Sequence, residues 1–155
     1  MHDQKIIFFG CPLDSDERDE SVQEKLTAMS YGPKVDDPYA YVMGFIRSEI
    51  DPGLWEEIGP LEVPEWLRPI PPAGEKGNIN VERFVSFIDH DGCRTFAEMI
   101  GEHVIEKVYP QVPCMLTVDH SLTGGVFNKL TTLVSPEKVS LVVLDSHTDA
   151  LTAPL

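Results

Sequence analysis

The sequence is poor in basic residues. Twelve lysines and arginines stand against 26 aspartates and glutamates, a formal net charge of −14. Nucleic acids and anionic membrane surfaces bind a positive footprint, so this balance argues against both as partners. An acidic chain suits cations instead, whether metals or guanidinium and amine substrates, or it serves solubility alone. Cysteine is scarce as well. Cys11, Cys93 and Cys114 are odd in number, widely spaced and form no C-x-x-C. That speaks against a disulfide framework and for reduced thiols packed as small hydrophobes in a cytoplasmic protein. No apolar run approaches the length of a membrane span. Ile6-Ile7-Phe8-Phe9 is too short for the core of a secretion signal and is followed by acids.

What is present is the composition of a soluble globular domain. The 155 residues are 42% hydrophobic and 25% charged, enough for one domain with a real core. The most informative stretch is Val139 to Asp149. Its first half is almost wholly apolar and follows a turn signal, Ser135-Pro136-Glu137, which predicts a strand buried on both faces, as in a parallel sheet. It then delivers Asp145, His147 and Asp149 at i, i+2 and i+4. Alternate residues of an extended chain share a side. The three therefore converge just beyond the strand's carboxyl end, where open α/β sheets bind their ligands. Two carboxylates and an imidazole suit a divalent cation of the Mn, Zn, Ni or Fe type. The alternative is a solvated turn with Asp149 as a helix N-cap.

Earlier in the chain, Lys5 to Cys11 (KIIFFGC) predicts a first buried strand, and the polar loop from Pro12 to Arg18 follows its carboxyl end. Ser21-x-x-Glu24 reads as a capping box opening a helix from Val22 to Met29, closed by Gly32-Pro33. Asp37-Pro38 starts another helix, with Val42, Phe45, Ile46 and Ile50 as its apolar face. From 51 to 77, six of the 13 prolines and both tryptophans gather. This excludes long regular structure there and predicts an irregular insertion that wraps the surface or faces a partner. Asn80 to Ile88 predicts a strand, and Asp89-His90-Asp91-Gly92 a turn, with a metal cluster as the weaker reading. Thr95-x-x-Glu98 reads as a capping box for a helix from Phe96 to about Val108. Its buried stripe is Met99, Ile100, Val104 and Val108, with His103 beside it as a structural histidine. Val112 to Val118 predicts a strand running into Asp119-His120-Ser121. A helix from Leu122 to Leu133 follows, its first turn weakened by Gly124-Gly125, and then comes the Val139 strand. Strand, helix, strand in that order makes a right-handed parallel unit. It sets His120 and Asp145 at the carboxyl ends of neighbouring strands, with His120 placed as a fourth ligand.

Val118-Asp119-His120-Ser121, followed about 25 residues later by Leu144-Asp145-Ser146-His147-Thr148-Asp149, resembles the first two metal motifs of the ureohydrolase family (arginase, agmatinase, formimidoylglutamase). The family pattern is Gly-Gly-Asp-His-Ser, then Asp-Ala-His-x-Asp. Gly10-Cys11-Pro12-Leu13-Asp14 and Tyr31-Gly32-Pro33 are similar to its N-terminal region. The resemblance implies an α/β chain, three-layer α/β/α around a parallel sheet, with residues 1–155 as the N-terminal half of one arginase-like domain. It implies two divalent metal ions, Mn2+ first, with Ni2+, Fe2+ or Zn2+ in its place. His120 and Asp149 would bind one ion, His147 the other, and Asp145 would bridge them. Asp119 would orient a ligand or the loop. A metal-bridging hydroxide, available at neutral pH because the ions acidify water, would attack a small cationic guanidinium substrate and release urea.

The sequence departs from the pattern at Thr117 and Val118, which stand where the family has glycines, and at Ser146, which replaces an alanine. The family's later Asp-x-Asp has no counterpart after Asp149; Asp14-x-Asp16 and Asp89-x-Asp91 come too early. The expectation is therefore a hydrolase whose second polypeptide supplies the C-terminal half and that motif, in a higher oligomer. Its competitors are a non-catalytic structural or regulatory subunit with a vestigial metal cluster, and a chain folding alone as a mononuclear hydrolase.

Overall fold

The computed structural model describes residues 4–30 and 38–144. At its centre lies β1, Ile6–Cys11. Every residue of IIFFGC after Ile6 is buried, as expected of an apolar strand with a neighbour on each edge and helices on each face. β2 (Trp55–Pro60) and β3 (Val112–Thr117) flank it, both parallel to it, in the order β2-β1-β3. Ile6 to Cys11 pair in unbroken register with Val112 to Thr117. Against β2 the register slips between Phe8 and Phe9, where Ile58 is the extra residue. Gly59 takes up the bulge at φ 81°, a left-handed value that favours glycine.

Side chains alternate across this sheet. Ile7 and Phe9 meet Val104 and Val108, with Val126 and Leu130 alongside. These come from α4 (Gly92–His103), which runs on into a π-helical turn over Val104–Val108, and from α5 (Thr123–Leu133). On the opposite face Phe8 packs with Tyr39, Met43 and Ile46 of α2 (Pro38–Glu49). Gly10 lies on that face too, and a β-carbon there would stand 2.6 Å from the Tyr39 ring. A third cluster sits beyond the carboxyl end of β1. It joins Cys11 and Leu13 to Val22 of α1 (Asp19–Ser30), Phe84 of α3 (Val81–Asp89), Ile100 and Leu122. Each fully buried Phe or Leu in these clusters is worth about 1.5–3 kcal/mol. The chain is thus an α/β protein with a small parallel sheet and helices on both faces.

Several local expectations are corrected. Asn80 to Ile88 is helix α3, not a strand. Asn80 stands in extended backbone and its side chain accepts from the Arg83 N–H, an N-cap. Val81, Phe84 and Phe87 then fall three apart and turn to the core together, so the mixed periodicity is helical. Neither capping box forms. α1 begins at Asp19 and α4 at Gly92, which puts Ser21 and Thr95 inside their helices. The Ser21 hydroxyl donates instead to Asp16 and that of Thr95 to the Asp91 carbonyl. α2 buries Tyr39 and Met43 and leaves Tyr41, Val42 and Phe45 exposed, because the ring facing Gly10 fixes which side points inward. In the α4 stripe, Ile100, Val104 and Val108 are buried but Met99 is exposed.

The proline-rich 51–77 segment holds no long element, as predicted, only β2 and two short 3-10 helices at Glu65–Leu67 and Ala73–Asn78. That it supplies an edge strand was not legible from WEEIGP. The expected turn is made by His90 and Asp91, between the last residue of α3, Asp89, and the first of α4, Gly92, with Asp91 at φ 61°. Val139 to Leu144 is not a strand among the described residues: it pairs with none of them, and Leu141 to Leu144 are exposed, Leu144 at 95%. Among the described residues nothing pairs with the outer edge of β3, so the right-handed β3–α5–strand unit does not close. Gly32-Pro33 lies outside the described residues.

Candidate functional site

The carboxyl ends of β1 and β3 lie side by side because the two strands are parallel and in register, Cys11 opposite Thr117. Each continues into a loop with polar side chains, Asp14-Ser15-Asp16 from β1 and Asp119-His120-Ser121 from β3. Asp119 caps a short 3-10 helix, His120–Leu122, by accepting from the Ser121 N–H at 3.0 Å through Oδ1. Its other oxygen, Oδ2, accepts from the Ser15 hydroxyl at 2.5 Å. Ser15 is buried, and its oxygen lies 3.4 Å from Cys93 Sγ at the start of α4. Because the one Ser15 proton goes to the carboxylate, the Cys93 thiol is the donor in that second contact. Thr117 completes the join. Its hydroxyl lies 3.1 Å from the Cys11 carbonyl and 3.0 Å from that of Asp119, so it bridges strand β1 and the loop leaving β3.

The β1 loop is held from its own side as well. The Asp14 N–H donates to the Leu67 carbonyl at 2.8 Å. Lys25 of α1 is buried, and its Nζ donates to the Asp14 carbonyl at 2.5 Å and lies 3.2 Å from Asp14 Oδ2. The same ammonium sits 4.6 Å from the centre of the Phe84 ring. Burial lowers the Lys25 pKa, and the Asp14 carboxylate pulls it back up. Asp16, bound by the Arg18 guanidinium, is held well below the usual carboxylate range. Burial pushes the Cys11 thiol up to about 11, so it stays protonated at neutral pH. A cleft of about 340 Å³ opens beside this loop, lined by Asp14, Asp16, Arg18, Ser21, Glu24 and Lys25. A larger groove of about 580 Å³ between α3 and Trp66 includes none of Ser15, Asp119 or His120.

Of the sequence-predicted site residues, Asp119 and His120 stand where expected, just past the carboxyl end of a parallel strand. Asp145, His147 and Asp149 lie outside the described residues. Among the described residues no three His, Cys, Asp or Glu side chains gather as a metal-holding group. By donor chemistry, one imidazole on the β3 loop with two carboxylates and a second imidazole in Asp145-x-His147-x-Asp149 fits a divalent cation of the Mn, Ni, Fe or Zn type. Asp119 already accepts from a hydroxyl and an amide, which suits a carboxylate that shapes the loop. The sequence offers the Pro12 to Arg18 loop, Ser15 included, as one that could line a site, but singles out none of Ser15, Thr117 and Cys93. The only sequence signal for Ser15 was its position in a polar loop after a buried strand. Comparison with family models, with curated proteins and with solved structures gives no match.

Proposed function

We propose that this chain carries part of a dinuclear-metal amidinohydrolase centre of the ureohydrolase type, acting on a small cationic guanidinium or amidine C–N bond. The observation that carries this reading is the Asp119-His120 pair, set on a short turn past β3 in a parallel sheet, with Asp145-x-His147-x-Asp149 following α5 in the sequence. His120, Asp145, His147 and Asp149 would hold the ions. Bound divalent cations supply Lewis acidity and acidify water at neutral pH. The chain's own part is to orient His120 through the Asp119 turn and to attract a cation with its net charge of −14. The three-layer arginase-like arrangement belongs to this proposal. Its support is the parallel sheet with helices packed on each face.

The remaining metal ligands would come from strands added beyond β3, on a second polypeptide or on further sequence of the same one. An outer edge of β3 left bare among the described residues, and the apolar run Leu141 to Leu144 exposed among them, favour added strands, since open edges and exposed apolar runs are usually covered in a finished protein. The test is metal analysis of the natively purified protein with whatever travels with it, followed by His120→Ala and His147→Ala. The expected result is bound Mn2+ or a related ion, lost in both variants together with urea release from guanidinium compounds. Metal content and activity indifferent to both substitutions would reject the hydrolase and leave the non-catalytic subunit.

A further inference from the structure

We infer that Ser15 is a positioning residue for His120, acting through Asp119; the inference rests on the metal-centre reading above and names a residue which that reading does not contain. Asp119 has two oxygens and both are committed. Oδ1 receives the Ser121 N–H at 3.0 Å, which folds the turn that carries His120. Oδ2 receives the Ser15 hydroxyl at 2.5 Å. Ser15 thus fixes the rotation of the carboxylate, and the carboxylate fixes the turn.

A hydroxyl positions its partner only if it is itself immobile. Ser15 is 4% exposed. The residue before it is tied at its carbonyl to Lys25 Nζ, at its carboxylate to the same ammonium, and at its N–H to Leu67. The Cys93 thiol closes the remaining side of the hydroxyl, at 3.4 Å. The clamp therefore links residues 104 positions apart and rests on α1 and α4, not on solvent. Hydrogen bonds behind a metal ligand commonly govern its orientation, and their loss costs about 10- to 100-fold in metal affinity. In Ser15→Ala the Asp119 carboxylate loses one partner, the turn loosens, and His120 is presented less often in one geometry.

The test compares Ser15→Ala with Ser15→Thr, which keeps the hydroxyl, with Asp119→Asn, which keeps the shape but weakens the acceptor, and with Ser21→Ala, which removes a hydroxyl that donates to Asp16. Two quantities are read on each: hydrogen exchange of the Ser121 amide, and Mn2+ affinity by electron paramagnetic resonance. Expected are exchange at Ser121 faster by roughly tenfold or more in Ser15→Ala and Asp119→Asn, Mn2+ binding weakened about 10- to 100-fold in Ser15→Ala, and wild-type values for both in Ser15→Thr and Ser21→Ala. Wild-type exchange at Ser121 in Ser15→Ala overturns the inference, as does an equal effect in Ser21→Ala. If the unsubstituted protein, natively purified with whatever travels with it, binds no Mn2+ or related divalent ion, the metal-centre reading fails by itself, and the exchange measurement still decides whether Ser15 holds the turn.

Discussion

Gly125 of α5 lies directly against the Ala97 backbone of α4, so close that a β-carbon built on it would overlap the Ala97 carbonyl. Gly101 meets Gly125 from the other helix, with its missing β-carbon 2.7 Å from the Gly125 carbonyl oxygen. Gly125 thus marks a close crossing of two helices, and α5 runs through both glycines from Thr123.

Two neighbouring glycines should respond in opposite directions. Gly125→Ala forces the helices apart and should cost about 1–3 kcal/mol. A β-carbon at Gly124 meets nothing within 4 Å, so Gly124→Ala should stabilise by about 0.5–1 kcal/mol through helix propensity alone. Urea unfolding of the two variants checks both signs.

Asn80→Ala should cost about 0.5–2 kcal/mol by leaving the Arg83 N–H without its cap. Asn80→Asp should be close to neutral, because a carboxylate caps equally well. A strand over Asn80–Ile88 would show no such difference between the two.

Lys25→Met keeps the stem against Phe84 and removes the ammonium. It leaves the Asp14 carbonyl without its donor and the Asp14 carboxylate, itself only 21% exposed, without its partner. A loss of about 1–3 kcal/mol is expected in chemical denaturation.

His103 should make the fold acid-sensitive. Burial lowers its pKa from the ordinary 6.5, Lys107 lowers it further, and Glu106 opposes them. Its Nε2 is buried with no hydrogen-bond partner among the described residues, and its ring lies 5.7 Å from that of Phe9. The unfolded chain therefore takes up a proton near 6.5 that the folded chain accepts only at lower pH. Stability from this residue is intact above 6.5 and is lost as pH falls through 6.5 toward the folded value. His103→Leu removes the titration, so its urea midpoint should fall less steeply than wild type between pH 7.5 and 5.

The parts of the fold legible in sequence are those where one local signal decides. β1 and β3 are unbroken apolar runs, and α4 shows its stripe through Ile100, Val104 and Val108. α3 carries conflicting signals, because Val81, Val85 and Phe87 favour strands in isolation, whereas Asn80 capping and the spacing to Phe84 favour a helix. β2 was hidden because Trp55, Glu57 and Gly59 owe their strand to pairing with β1, not to their own pattern. The Val139 run has strand composition, but composition supplies no partner, and the β3 edge remains bare among the described residues. The same limit applies at the candidate site. Asp119 and His120 carry a motif; Ser15 carries none, since what it does depends on a carboxylate brought to it by the register of β1 with β3.

That register bears on how the chain is made. β1 leaves the ribosome before both strands it pairs with, one of which begins at Trp55 and the other at Val112. Until Val112 emerges, Ile7, Phe8 and Phe9 have no complete site to occupy. Contacts this distant in sequence form slowly, because a long loop must close before they contribute. The nascent β1 segment should therefore be a client for chaperones that bind exposed aliphatic and aromatic side chains. That dependence should end once β3 has been translated and has left the exit tunnel.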